Sequence, residues 1–341
     1  MKSILKKSLL TLPLAVWERV VPRSEVVVCY HMISDDHMPH VRHLFPYKTP
    51  GQFAADLSFL KLRYEIIDEG GLAKRIGAGK KGVTTVASIT FDDGFTECYS
   101  VARQILNSSG VNATFFIVSE CLDNKYLLYR HKASLCAEKV RSMNGEESQA
   151  VLKTFERICG AAFTDPESLV KFILGIRADR VDVLKETSDL LEVDEQAFLE
   201  KKEPYMTVAQ VKRLAEDGHT IGAHGTNHYE FQLLDPKEME RQIVTSCEIV
   251  QHVTGRRPVP FAVPFRLDGL DRNVLAGIAR RNPIVGMIYG TSGMKREPRG
   301  FFNRAVVDNP AGAFQGRSNL GHLLRRAYLG GLYEDVTRRL K

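Results

Sequence analysis

Two carboxylates stand side by side in Asp92-Asp93-Gly94, and two histidines stand four apart in His224-Gly225-Thr226-Asn227-His228. Carboxylate and imidazole are ligands of a catalytic divalent metal, which takes three protein groups and keeps one position open. Histidines at this spacing can face one point and share an ion. One carboxylate completes such a set, and the other is left to take a proton from bound water. An ion of the zinc type brings that water's pKa down to about 7 and so supplies hydroxide at neutral pH. It also stabilises an oxyanion. Each motif alone has an ordinary reading, since D-D-G is a common turn and H-x-x-x-H a common surface pair. What joins them is position.

Val86–Phe91 leads directly into Asp92, and Thr220–Ala223 leads directly into His224. Both segments read as buried strands, and in parallel α/β folds active sites form at the C-terminal ends of strands. Further strands are expected at Val26–Tyr30, Tyr64–Ile67, Ala113–Val118, Phe261–Val263, Ile284–Ile288 and near Ala305–Val307. Helical patterns separate them, among them one opened by a capping box at Thr207 and one running from Asp235 to Gly255. Repeated βα units predict a parallel sheet, open or closed into a barrel. Residues 119–206 hold no convincing buried strand but several charged helical stretches, Glu147–Cys159, Pro166–Ile173 and Val181–Leu191. They read as a helical insertion that either shapes substrate access or decorates the periphery. Gly77–Gly82 and Lys295–Gly300 read as exposed loops, and His37, His40 and His43 as a mainly solvated cluster.

Thr90-Phe91-Asp92-Asp93-Gly94 resembles the T-F-D-D-G motif of the polysaccharide deacetylases, the NodB-homology or carbohydrate esterase family 4 group. His224–His228 resembles that family's metal-binding H-x-x-x-H. Phe261-Ala262-Val263-Pro264-Phe265 resembles its third motif, an aromatic-rich strand ending in Pro-Tyr/Phe. Cys29-Tyr30-His31-Met32-Ile33 is similar to the Y-H-x-I opening of one large branch. The resemblance implies a distorted (β/α) barrel of about seven parallel strands, split into 25–118 and 207–316 around the 119–206 insertion. It implies metal-dependent removal of N-acetyl groups from amino sugars. Carried over, Asp92 is the general base, Asp93, His224 and His228 are the metal ligands, and the Phe265 N–H helps bind the oxyanion. The acetyl group and the sugar come from the resemblance alone.

Some residues depart from the pattern. Arg266 stands where the family usually has Gly, either to meet an acidic substrate or as a solvated charge. The family's general acid is a histidine of a C-terminal L-x-H motif. Leu320-Gly321-His322 carries those letters inside a basic terminal segment, and His31, just past the first strand, is the other candidate acid or substrate contact. Arg304 is a candidate to orient Asp92 through an ion pair, as an arginine does in the family.

A chain of 341 residues, 44% hydrophobic and 26% charged, is not a disordered, collagen-like or polytopic membrane protein. A net charge of +6 is too mild to argue for nucleic acid, and no nucleic-acid motif is present. Six cysteines with no CxxC pair lean towards a reducing compartment. Residues 1–24 carry Lys2, Lys6 and Lys7 before a short apolar run to Trp17. The readings are a helix packed on the domain, an interfacial anchor or a weak export signal. Residues 317–341 form a second basic amphipathic end, with Gly330-Gly331 expected to break or bend its helix. The expected cofactor is therefore a divalent metal, zinc first. The expected partner is an N-acetylated carbohydrate or glycolipid, and the basic ends offer contact with a membrane surface. The expected location is the cytoplasm, at that surface, or outside the cell if the first residues export the chain. The alternatives are a non-catalytic carbohydrate-binding protein on the same scaffold, and a deacetylase for a non-sugar amide or an O-acetyl ester.

Overall fold

All strand pairs among the described residues are parallel, so the connections, save the one residue that joins the last two strands, carry the chain back from the C-terminal to the N-terminal edge of the sheet. The computed structural model describes residues 8–77, 85–159, 162–311 and 318–339. The strands are β1 (Glu25–Tyr30), β2 (Glu65–Ile66), β3 (Val86–Phe91), β4 (Thr114–Ile117), β5 (Thr220–Ala223), β6 (Val259–Ala262), β7 (Val285–Gly290), β8 (Phe301–Asn303) and β9 (Ala305–Val306). Their order is β8-β7-β6-β5-β4-β3-β1-β9, and β2 pairs with the beginning of β3.

Closure depends on one short segment. β8 pairs with β7 at one edge, and β9 pairs with β1 at the other. The single residue between β8 and β9 is Arg304. Residues 301–306 therefore touch both edges, and the sheet becomes a nearly closed barrel with flanking helices. Among the described residues there are nine strands where about seven were expected; β2 and β9 are two residues long, and β8 had no sequence signal of its own.

The helices packed around the barrel include α1 (Leu14–Val20), α2 (Pro50–Arg63), α3 (Glu69–Gly77) and α4 (Arg103–Ser108). A second compact unit comprises residues 36–46 and 124–203. It holds α5 (Tyr129–Ser142), α6 (Gly145–Cys159), α7 (Pro166–Gly175), α8 (Val181–Leu190) and α9 (Glu195–Lys202). The barrel unit continues with α10 (Val208–Glu216), α11 (Pro236–Thr254), α12 (Arg272–Arg281) and α13 (Leu320–Arg339). Thr207 caps α10 through a complete capping box with Gln210, and Asp235 caps α11, which ends at Gly255 with φ 71°.

Two expectations are corrected. His40 is buried against the rings of His131 and Phe198, and the His43 ring is sequestered against Glu138, so only His37 of that trio is solvated. Their segment is a loop of turns, as expected, and belongs to the helical unit. α13 runs unbroken through Gly330-Gly331. A Cβ on Gly331 would lie 2.7 Å from the Met294 carbonyl oxygen, so this glycine serves close approach, not a break. Lys2, Lys6, Lys7 and the loop to Gly82 lie outside the described residues.

Candidate metal centre and active site

The six residues of β3 are all buried, and Phe91 stacks on Phe115 and Tyr30 at 5.0 and 5.6 Å between ring centroids. This packing fixes where the strand ends. Asp92 still donates its N–H to Tyr30 O at 2.9 Å. Asp93 then turns into the left-handed region with φ 69°, followed by Gly94 with φ 76°. The reversal sends the two neighbouring carboxylates to different partners.

Asp93 meets the histidines. His224 and His228 bring Nε2 to 3.5 and 3.3 Å from Asp93 Oδ1. His224 leaves β5 with its N–H on Ile117 O, and its Nδ1–H donates to Ala262 O at 2.8 Å. That bond turns the Nε2 lone pair towards Asp93. Fully buried Gln242 of α11 accepts from Thr226 N and Oγ1 at 3.0 Å and donates to Asn227 at 2.8 Å. It holds the loop that delivers His228, itself at φ 59°. Asp93 Oδ1 is buried with no hydrogen-bond partner among the described residues. Such an orphan is costly unless a cation meets it. Three ligand atoms that converge on one point, one of them an orphaned carboxylate oxygen, fit a divalent metal. The basicities agree. Burial would raise Asp93, but the two histidines take it well below the carboxylate range. Burial takes His228 down to about 4, which keeps its ring a neutral ligand at pH 7.

Asp92 meets Arg304. The guanidinium is fully buried and grips both oxygens, Nη1 to Oδ1 at 2.5 Å and Nη2 to Oδ2 at 2.7 Å. Burial would raise this carboxyl; Arg304 and then His224 hold it below its ordinary value. The Cys29 thiol adds a contact to Oδ2 at 3.4 Å. A His31 ring nitrogen, Cys29 Sγ and an Asp92 oxygen lie within 4.8 Å of one another. This second trio does not suit a metal. Arg304 occupies both Asp92 oxygens, and burial pushes the Cys29 thiol up, so it stays protonated. Burial would lower His31, yet Asp308 outweighs it and raises the ring to about 10. Asp308 accepts from His31 Nδ1 at 2.7 Å and from the His31 N–H at 2.8 Å. The site thus pairs an ionised carboxylate with a nearby imidazolium, beside a metal-ligand set.

Phe265 packs its ring on His228 at 4.8 Å and has φ 60°, rare for a bulky side chain. Its N–H has no acceptor among the described residues. Asp92, Asp93, His31, His224, His228 and Phe265 are thus brought to one rim. His322 is not: it is exposed on the first turn of α13, and no described bond links it to Asp92. Its letters matched the L-x-H pattern, but a surface helix replaces the strand end that such an acid needs. Two contributors escaped sequence reasoning. Cys29 shares the face of His31 by the two-residue period of β1. Asp308 follows β9, and only closure of the barrel brings it to β1.

The polysaccharide deacetylase family model matches residues 79–157 and 179–280. A peptidoglycan deacetylase of Helicobacter pylori is 30% identical over 56 residues, which span 16% of this chain and 19% of that protein. The fold is similar to that of the Streptococcus pyogenes deacetylase PplD in complex with acetate (TM-score 0.53, 14% identity, 83% of this chain and 91% of that one). It is also similar to IcaB from Ammonifex degensii (TM-score 0.54, 13% identity, 90% and 97%). A de-N-acetylase from Aggregatibacter actinomycetemcomitans gives a TM-score of 0.51 at 14% identity, over 83% and 95%. Since the family model spans more than half of the chain and the strand ends that carry Asp92, Asp93, His224 and His228, the chain belongs to the polysaccharide deacetylase family.

Proposed function

We propose that the protein is a metal-dependent hydrolase that removes N-acetyl groups from an amino sugar in a polysaccharide, oligosaccharide or glycolipid. The observation that carries this reading is the convergence of Asp93, His224 and His228 beside an Asp92 clamped by Arg304. Family members use a divalent metal, and two imidazoles with one carboxylate suit zinc best. When bound, the ion supplies an acidified water and polarises the acetyl carbonyl.

The chain's own groups do the rest. Asp92, kept ionised by Arg304, takes the proton of the attacking water. The Phe265 N–H is the donor we assign to the developing oxyanion. His31, held protonated by Asp308, gives a proton to the departing nitrogen. The amide C–N bond breaks, hydroxide goes to the acyl carbon, and acetate and a free amine result. Cys29, Cys98, Cys121, Cys136 and Cys247 are free and buried, which supports a cytoplasmic location.

The test compares metal content and acetate release from N-acetylated oligosaccharides for the wild type, Asp92→Ala and His224→Ala. Wild type should bind one metal and turn over, Asp92→Ala should keep metal and lose turnover, and His224→Ala should lose both. A folded wild type that takes up no divalent metal would sink the reading. So would full metal loading with no acetate released from any N-acetylated sugar.

A further inference from the structure

Seven large apolar side chains are exposed among the described residues. Scattered ones need no explanation, but four of these gather where the barrel strands begin. Val20 lies just ahead of β1 and Leu62 just ahead of β2. Arg63 and the Tyr64 hydroxyl both hold Glu18, at 2.9 and 2.6 Å, and tie the end of α2 to α1. Arg23 binds Asp335 at 3.1 Å and brings the turn of α13 with Tyr333 and Val336 to the same end. Leu62 is 87% exposed and Tyr333 73%.

The exposed charges at this end are mainly basic, with Glu65 an exposed acid among them. Exposed Arg19 makes no ion pair among the described residues, and Arg296 and Arg299 are exposed on the loop that enters β8. Asp335 is more sheltered than the Arg296 it pairs with, and Glu18 more sheltered than Arg63. An outer layer of guanidinium and apolar side chains complements an anionic lipid surface, which takes cations at the headgroups and apolar groups at the acyl boundary. No described helix is long and apolar enough to cross a membrane, so contact of this kind would be peripheral.

We infer that the protein docks through this end on an anionic bilayer surface, with its catalytic rim turned away from the lipid. The rim lies at the opposite ends of the strands, and a six-residue strand spans about 20 Å. Resting on the deacetylase reading, this selects among its substrates: the docked protein acts on glycan that extends from the surface, not on the sugar of a lipid headgroup.

The full chain is co-sedimented with vesicles of phosphatidylglycerol and phosphatidylcholine, and with phosphatidylcholine alone. Binding should be at least about tenfold weaker to the neutral vesicles. The triple variant Val20→Asp, Leu62→Asp, Tyr333→Asp should lose at least about tenfold in binding to the anionic ones, with acetate release from soluble oligosaccharide unchanged. Absence of binding, or binding that survives the triple substitution, overturns the inference. So does a dimer that the substitutions abolish without any vesicle binding, which would assign the patch to a second copy. Faster acetate release from a glycolipid in the same vesicle than from soluble glycan overturns the orientation. Binding is read without turnover, so a protein that binds but never releases acetate sinks the deacetylase reading and leaves the docking intact.

Discussion

Asp92 and Asp93 are neighbours of one residue type, and burial works against the charge of both. Their partners divide the labour: a guanidinium for Asp92 and two imidazoles for Asp93. Asp92→Asn should therefore lower kcat by about 10²–10⁴ at unchanged metal content, whereas Asp93→Asn should lose the metal. Atomic absorption alongside kinetics separates the two, and loss of metal in Asp92→Asn would contradict the assignment. His31 carries a pH signature. Its ring is raised to about 10 in the fold against an ordinary value near 6.5. Its pairing with Asp308 thus adds stability that is fully present below about 6.5 and is lost as pH rises through about 10. Turnover should fall over the same alkaline range as the acid deprotonates. Asp308→Asn should move the alkaline limb of kcat to lower pH, and a limb that stays in place would remove His31 from the role of acid.

At the scale of elements, Arg304 is both a closing residue and a site residue. It stands between β8, bound to β7, and β9, bound to β1, and its side chain enters the barrel to reach Asp92. Arg304→Met leaves a buried carboxylate without its counter-charge and should cost about 3–5 kcal/mol in urea unfolding. Combining it with Asp92→Asn should recover part of that loss, and strictly additive costs would show that the pair is not coupled. Arg304→Lys keeps the charge but loses the two-pronged grip, so turnover should suffer more than stability. The strand ends at Asp92 and His224 were legible because apolar runs stop where the chemistry starts. The helix Tyr129–Ser142 was not, because it packs through Ala133, Ser134, Cys136 and Ala137, which give no strong apolar period. β8 was hidden for another reason. Its three residues are too few to show alternation, and parallel pairing with β7, from which residues 291–300 separate it, defines it. Asp308 was invisible because its partner is 277 residues away and only barrel closure joins them.

For the whole molecule, the metal ligands and both halves of the barrel sequence belong to one compact unit, and α5 to α9 belong to the other. A cation on Asp93, His224 and His228 ties the end of β3 to the loop after β5. Anything that binds only the folded state stabilises it by mass action, by about 4 kcal/mol at a thousandfold excess over Kd. That stabilisation should act on the unit that holds the ligands. Stripping the metal with a chelator should therefore speed amide exchange at the ends of β3, β4 and β5 and through residues 224–228, with little change in α5 and α7. Hydrogen exchange with and without chelator measures this directly. Equal loss of protection in α5 and α7 would mean that the two units open as one, since metal binding would then reach helices that hold none of its ligands. Unchanged exchange everywhere would mean that no ion ties β3 to β5, leaving the orphaned Asp93 oxygen without the cation that its burial calls for.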